Sequence, residues 1–290
     1  MRVLIIGYGY IGTVLARELV RGGHQVYTMR RTEGHCADSE LKSAGLIAVR
    51  GDITKPESLA RLKPDFDTVV NCVAASGGGV DEYRRVYLNG MRNVVDWLKV
   101  APPERFLYTS STSVYGQTDG SVVDETSATE PTAETARILL QTEQLLLDSA
   151  HHQKLNPIVL RLAGIYGPGR GYWLKQFLNG QARIEAGGKR WLNMVHRDDV
   201  VAAISALLQQ GTPGAIYNVV DDEPVQQLAL LEWLATKLRR PLPPEIEIET
   251  TANRKRGITN KRVSNRKLKQ ELGYQFKYPT FREGFGQELG

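Results

Sequence analysis

The chain has 290 residues, of which 41% are hydrophobic and 24% are charged, and this composition excludes wholesale disorder. Its length fits one large domain or two coupled ones. No apolar run approaches the eighteen or so residues of a membrane-spanning helix. The two cysteines, Cys36 and Cys72, cannot by themselves form a disulfide framework or a metal cluster. We therefore expect a cytoplasmic protein without a membrane segment or a metal site.

Basic residues outnumber acidic ones by 37 to 32, which gives a net charge of +5. Eight of them lie close together near the carboxyl end: Arg254, Lys255, Arg256, Lys261, Arg262, Arg266, Lys267 and Lys269. This run is either a solvated face or a patch that contacts phosphates. No aromatic residue is interleaved within it, which argues against nucleic acid. We expect a small molecule as the partner.

Strands and helices alternate along the first part of the chain. Short apolar runs predict strands at residues 2–6, 25–29, 46–49, 67–73, 105–109 and 157–162. Helical spacing predicts helices at residues 11–21, 83–100 and 136–151. Alternation of this kind predicts a parallel sheet whose strands are buried on both faces. After residue 165 glycines and prolines interrupt the rhythm, which indicates a second, smaller unit.

The first strand runs directly into a G-x-G-x-x-G pattern formed by Gly7, Gly9 and Gly12. Glycines allow a tight turn and a close approach of the backbone to a pyrophosphate, and the following helix offers free N–H groups. Tyr10 and Ile11 complete this loop. The pattern predicts a dinucleotide-binding loop, because it has a strand before it and a helix after it.

The end of the second strand indicates which dinucleotide is bound. An NAD site would place a carboxylate about there, for the ribose hydroxyls. This chain has Arg30 and Arg31 instead, and no carboxylate before Glu33. Two guanidinium groups suit a 2′-phosphate by charge and by fork geometry. We therefore predict NADP rather than NAD, unless one or both arginines face solvent.

At this point the chain resembles the extended short-chain dehydrogenases/reductases of the NAD-dependent epimerase/dehydratase group. The resemblance covers nearly the whole chain and rests on the glycine loop and residues 51–53, 73–75, 89–94, 108–116, 161–169, 195–200, 217–219 and 264–274. It implies an α/β fold, a Rossmann-like doubly wound parallel sheet with a small C-terminal substrate lobe. It also implies cofactor contacts at Asp52, Ile53, Val73, Ala74, Ala75, Asn89 and Thr109.

The resemblance implies a division of the chain as well. Residues 1–165 correspond to an NAD(P)-binding Rossmann domain and residues 166–290 to the small substrate lobe, with about 194–220 returning to the large domain. The family often pairs two helices across a homodimer. The apolar positions of residues 86–98 and 139–147 would permit such pairing here.

The family members that carry out redox chemistry resemble one another in a Tyr-x-x-x-Lys pair, and this chain lacks that pair. Aligning Glu143 with the acid that follows the pair puts Thr135 at the tyrosine and Leu139 at the lysine. No tyrosine or lysine lies between Gln117 and His152. An atypical branch of the family lacks the pair in the same way.

Ser111 remains at the family position that binds the substrate carbonyl or hydroxyl. With Tyr115 as a substitute acid, it forms the predicted catalytic pair; Tyr115 as a pocket wall is the alternative. Arg137, Glu134 and His196 are weaker candidates. Two functions follow from this set: an NADP-dependent oxidoreductase or epimerase-like enzyme for a small polar substrate, or an NADP-binding sensor without turnover.

Overall fold

The computed structural model describes residues 1–31, 38–75, 77, 79–246 and 259–289. A seven-stranded parallel sheet forms its centre. The strands are β1 (Arg2–Ile6), β2 (Gln25–Arg30), β3 (Leu46–Arg50), β4 (Thr68–Asn71), β5 (Arg105–Ser111), β7 (Pro157–Leu162) and β12 (Ile216–Val219). Their order is β12-β7-β5-β4-β1-β2-β3, and every neighbouring pair is parallel. The predicted Rossmann-like sheet is thus confirmed.

Helices cover both faces of the sheet. In chain order they are α1 (Gly12–Arg21), α2 (Asp38–Ser43), α3 (Pro56–Leu59), α4 (Val80–Tyr83), a π-helix (Arg84–Asn89), α5 (Gly90–Leu98), α6 (Glu134–Gln153) and α8 (Arg197–Gln210). Successive side chains of β1 point to opposite faces of the sheet. Val3 lies in one core with Leu15 of α1, and Leu4 lies in the other core with Met91 of α5. This two-sided burial explains why the strands are apolar throughout.

The small lobe consists of short elements around a separate apolar core that includes Tyr166, Phe177, Leu230 and Phe281. These elements are β8 (Gly164–Tyr166), α7 (Tyr172–Leu178), β9 (Ile184–Glu185), β10 (Trp191–Leu192), β11 (Met194–His196), β13 (Val225–Gln226), α9 (Gln227–Leu238), β14 (Glu245–Ile246) and α11 (Phe281–Leu289). Two further elements near the carboxyl end, β15 (Arg262–Val263) and α10 (Arg266–Leu272), pack into the core of the large domain through Val263 and Leu268. Strand β15 pairs with β6 (Val122–Val123). Between β11 and β13 the chain returns to the large domain, where α8 packs on α1 and β12 forms an edge of the main sheet.

The apolar positions considered for a homodimer face the chain's own core. Val86 and Leu98 are buried, and so are Leu139 and Leu146. No large apolar side chain of residues 86–98 or 139–147 is exposed. The homodimer therefore stays a prediction, and an apolar helix face does not support it.

Two findings concern the described ranges alone. No helix there combines the length and apolarity needed to cross a membrane. Nor do those ranges contain three His, Cys, Asp or Glu side chains grouped so that they could hold a metal ion.

Candidate functional site

A cavity of about 400 Å³ lies at the carboxyl ends of the sheet strands, between the sheet and the small lobe. Parallel α/β sheets bind their ligands at this edge. The predicted site residues that line it are Gly7, Gly9, Tyr10, Ile11, Arg30, Arg31, Asp52, Ile53, Val73, Ala74, Thr109 and Ser111. They come from the ends of five neighbouring strands, β5, β4, β1, β2 and β3, so the topology brings together positions that are about 100 residues apart in sequence.

The glycine loop is packed so tightly against its surroundings that side chains are excluded at two of its positions. A Cβ on Gly12 would lie 2.1 Å from the carbonyl oxygen of Gly7, and Gly7 itself has a φ of +102°. At Gly9, in contrast, a Cβ would meet nothing within 4 Å. Helix α1 begins without a side-chain cap and without an acid in its first turn. The loop therefore presents open space and free N–H groups, which fit the pyrophosphate of a dinucleotide.

Three residues predicted to bind the cofactor do not line the cavity. Gly12 supports the loop from behind, as described above. The Ala75 N–H donates a hydrogen bond to the Tyr87 hydroxyl at 3.2 Å. Asn89 is exposed on the π-helix and accepts a hydrogen bond from Arg92. Direct contact of Ala75 and Asn89 with a cofactor therefore stays a prediction that the cavity lining does not support.

A second cavity, of about 490 Å³, continues from the first and shares Arg31, Gly51 and Asp52 with it. Its other lining residues are Arg50, Lys55, Glu57, Ser58 and Arg61. The lining of this second cavity thus contains four basic side chains and two acidic ones. The sequence analysis missed Arg50, which pairs with Arg30 in the register of β2 and β3. Glu33 lies outside the described residues.

Asp52 is held at the junction of the two cavities by a local turn. Its Oδ1 accepts hydrogen bonds from the Thr54 N–H at 2.9 Å and from the Thr54 hydroxyl at 2.8 Å. Partial burial raises its pKa, but the Thr54 hydrogen bonds outweigh this effect, and the net pKa of Asp52 is below its ordinary value. Asp52 is therefore an ionised acceptor at neutral pH, suited to ribose or adenine donors.

Tyr115 is not among the residues that line the cavity, so the structure gives no support to the two roles predicted for it, catalytic acid and pocket wall. Its side chain is fully buried. Its hydroxyl donates to Asn218 Oδ1 at 2.9 Å and accepts from Arg161 Nη1 at 2.9 Å. Arg161 in turn forms a buried ion pair with Glu143, with Nη2 and Oε2 2.7 Å apart. Burial, the largest effect, raises the pKa of Tyr115. Tyr115 is therefore part of an internal polar network.

Ser111 lies at the end of β5, where it lines the cavity and its Oγ accepts the Ser113 N–H at 3.2 Å. Across from it, Leu139 of α6 contributes an apolar wall to the same cavity. Thr135, one turn earlier on α6, is buried and does not line the cavity. Among the described residues of α6, Leu139 lines the cavity.

Two tyrosines that the sequence analysis missed enter the cavity from α4 and the π-helix. Tyr83 and Tyr87 both line it, and their ring centroids are 5.0 Å apart. The Tyr87 hydroxyl is occupied by the Ala75 N–H. The Tyr83 hydroxyl has no hydrogen-bond partner in the described part of the chain. Their i, i+4 spacing was the available signal, and π-helical turns are frequent at functional sites.

The weaker catalytic candidates have structural partners. His196 is buried and its Nδ1 accepts the Asp198 N–H at 3.2 Å, which caps α8. Burial lowers the pKa of His196 to about 4, so the ring is neutral at physiological pH. Arg137 donates to the Pro131 carbonyl at 3.0 Å, and Glu134 pairs with Arg84 at 2.9 Å. None of the three candidates lines the cavity.

The described residues of the basic run near the carboxyl end, Lys261, Arg262, Arg266, Lys267 and Lys269, differ in exposure and in their partners. Arg254, Lys255 and Arg256 lie outside the described residues. Lys261 is buried, and burial lowers its pKa to about 8. Lys269 pairs with Asp222 at 2.9 Å. Together with the missing aromatic residues, this variation gives no support to a nucleic-acid surface.

Comparison with known proteins identifies the group to which this site belongs. The model of the NAD dependent epimerase/dehydratase family matches residues 3–219, which include every residue of the main cavity. The chain belongs to this family. Protein YeeZ of Escherichia coli K12 is 29% identical over 282 residues, covering 96% of each chain.

Relatives in this family include reductases and dehydratases. The 2-alkyl-3-oxoalkanoate reductase of Stenotrophomonas maltophilia is 27% identical and covers 83% of this chain and 77% of the relative. The dTDP-glucose 4,6-dehydratase of Streptomyces venezuelae, solved with NAD and TYD bound, superposes with a TM-score of 0.84 over 100% of this chain and 96% of that one. At 22% identity, this second likeness shows the fold.

Proposed function

We propose that the protein is an NADP-dependent oxidoreductase that reduces a carbonyl group of a small polar substrate. The observation that carries the cofactor assignment is the basic second cavity, because it opens from the main cavity at Asp52, where the resemblance implies a contact with the cofactor. Arg31 and Arg50 line it and suit a 2′-phosphate, which NADP has and NAD lacks. The glycine loop and the start of α1 suit the pyrophosphate.

When bound, NADPH supplies the hydride for such a reduction. The chain itself has to orient the reacting oxygen and provide a proton. Ser111 suits the first task, because its hydroxyl lies at the strand end within the cavity. For the second task we favour Tyr83, which lines the same cavity and whose hydroxyl has no hydrogen-bond partner in the described structure.

Tyr83 also favours one direction of reaction. A phenol hydroxyl is a proton donor, and the reduction of a carbonyl requires a proton on the carbonyl oxygen. Among the lining residues that the structure describes, α6 contributes Leu139 where the family pair would supply a lysine. In such a reduction Tyr83 would give its hydroxyl proton to the oxygen of the carbonyl group, and water would return a proton to the phenolate.

Calorimetric titration tests the cofactor assignment. The wild type should bind NADPH more tightly than NADH. A hydrogen bond to a charged group contributes roughly 1.5–3 kcal/mol, so Arg31→Ala with Arg50→Ala should weaken NADPH binding by about 100-fold or more and leave NADH binding unchanged. Arg92→Ala, which removes a charge from the exposed side of α5, is the matched control. Equal affinity of the wild type for the two cofactors would refute the NADP assignment.

A second candidate function is a sensor that binds NADPH without turnover. The apolar Leu139 in the cavity wall favours it, because the family's redox members resemble one another in a lysine there. NADPH oxidation in the presence of probe carbonyls, such as 4-nitrobenzaldehyde and 9,10-phenanthrenequinone, distinguishes the two. Turnover that falls at least 100-fold in Tyr83→Phe, with NADPH affinity unchanged, supports the enzyme. Tight NADPH binding without any turnover supports the sensor.

A further inference from the structure

Arg170 reaches the main cavity from the small lobe. It ends a tight turn that follows β8, in which Gly167 and Arg170 exchange two backbone hydrogen bonds of 2.8 Å. The turn requires glycine at Gly167 and Gly169, where φ is +137° and +69°. Arg170 lines the main cavity from the small lobe, and the glycine loop lines it from the large domain. The two lobes thus meet across the cavity at this point.

The Arg170 guanidinium has no counterion in the part of the chain that the structure describes. Its Cζ lies 5.0 Å from the ring centroid of Tyr10. Within the described residues it has no carboxylate and no side-chain hydrogen bond. Arg197 lies at a similar distance, 5.1 Å, from the same ring, but it is bound to Asp198 at 3.0 Å and does not line the cavity. Of the two arginines on Tyr10, only Arg170 is available to a ligand in the cavity.

Tyr10 connects this cation to the glycine loop. Its backbone belongs to the loop, and its hydroxyl donates to the Pro168 carbonyl at 3.2 Å, which holds the turn of the small lobe over the loop. The other cations of the main cavity, Arg30 and Arg31, lie at the end of β2 on the adenosine side. On the side of the glycine loop, the described lining contains no cation except Arg170.

We infer that Arg170 binds the pyrophosphate of the cofactor from the small lobe, opposite the N–H groups of the glycine loop. This inference rests on the proposed function, since it requires a dinucleotide in the cavity. A pyrophosphate carries two negative charges, and α1 offers only the partial charge of its amino terminus. The Arg170 guanidinium supplies a full charge and paired N–H donors. An anionic group of the substrate is the other ligand of the same chemistry.

The test compares Arg170→Ala with Arg197→Ala. Arg197 contacts the same Tyr10 ring but does not line the cavity, so its replacement is the matched control. NADPH affinity is measured by calorimetry, and the NADPH dissociation rate by stopped-flow fluorescence. Adenosine 2′-monophosphate, measured by displacement of NADPH, reports on the adenosine side without a pyrophosphate. We expect Arg170→Ala to weaken NADPH binding at least 10-fold through faster dissociation. Its affinity for adenosine 2′-monophosphate, and both affinities of Arg197→Ala, should stay within twofold of the wild type.

The remaining outcomes distinguish failure of this inference from failure of the proposed function. Wild-type NADPH affinity in Arg170→Ala overturns the inference and assigns the residue to the substrate or to neither ligand, while the proposed function stands. Equal losses in Arg170→Ala and Arg197→Ala, or an equal loss for adenosine 2′-monophosphate, also overturn it, because they show that the arginines only support Tyr10. Failure of the folded wild type to bind NADPH overturns the proposed function and this inference together. Partial recovery in Arg170→Lys supports the role of the charge.

Discussion

Replacing Tyr115 by phenylalanine separates a structural phenol from a catalytic one. The substitution keeps the ring, whose centroid lies 4.9 Å from Arg161 Cζ, and removes the two hydrogen bonds of the hydroxyl. Asn218, which is fully buried, then loses the donor to its Oδ1, and Arg161 loses one acceptor. Leaving a buried polar group unsatisfied costs about 1–3 kcal/mol. The expected loss of unfolding free energy is therefore about 2–5 kcal/mol.

This loss can be converted into a change of melting temperature. At about 2.1 cal/mol/K per residue, the unfolding entropy of a chain of 290 residues is roughly 0.6 kcal/mol/K. The melting temperature of Tyr115→Phe should therefore fall by about 3–8 °C. Differential scanning calorimetry measures this change. NADPH affinity at 25 °C should match that of the wild type, because the hydroxyl does not reach the cavity.

Tyr83→Phe provides the opposite signature. Its hydroxyl has no hydrogen-bond partner among the described residues, so the melting temperature should change by less than about 1 °C. Turnover of the probe carbonyls should fall instead. Unchanged stability of Tyr115→Phe together with lost turnover would refute the assignment of Tyr115 to the internal network and return it to the active site.

Three further substitutions test other parts of the structure. Gly12→Ala should abolish NADPH binding and lower the melting temperature, because its Cβ would collide with the Gly7 carbonyl, whereas Gly9→Ala should weaken binding without a loss of stability. The His196 pKa of about 4 means that the wild type loses stability as the pH falls from about 6.5 towards 4; His196→Asn, which keeps a capping acceptor, should show a shallower decline in pH-dependent melting. Burial holds the Asp221 pKa well above its ordinary value, so stability is lost as the pH rises above about 4, and Asp221→Asn should raise the melting temperature at pH 8 but not at pH 4. An identical pH dependence of variant and wild type would contradict either argument.

Local patterns carried enough information to predict the sheet and the glycine loop. Strand β1 and its neighbours are continuous apolar runs because they are buried from both sides, and this property is visible in any window of five residues. The loop is equally local, since Gly7, Gly9 and Gly12 serve one turn. Arg30 and Arg31 were recognisable for the same reason, as they directly follow a predicted strand.

The remaining site residues depend on partners far away in sequence. The position of Tyr115 follows from Arg161 and Asn218, which are 46 and 103 residues further along the chain. Arg50 joins the basic cavity through the register of β3 against β2, which no local pattern specifies. Tyr83 enters the cavity through the conformation of the following π-helix. Such residues become visible only when the tertiary contacts are known.

The position of β12 has a consequence for how the chain folds during synthesis. Its partner β7 ends at Leu162, but β12 ends only at Val219, because the chain first forms elements of the small lobe and α8. Until those residues leave the ribosome, the apolar edge of β7 has no neighbour on one side. At about 5–20 residues per second, this interval lasts roughly 3–11 s. A fragment ending near residue 165 would keep that edge open permanently and should aggregate, so the two lobes should not be separable by truncation there.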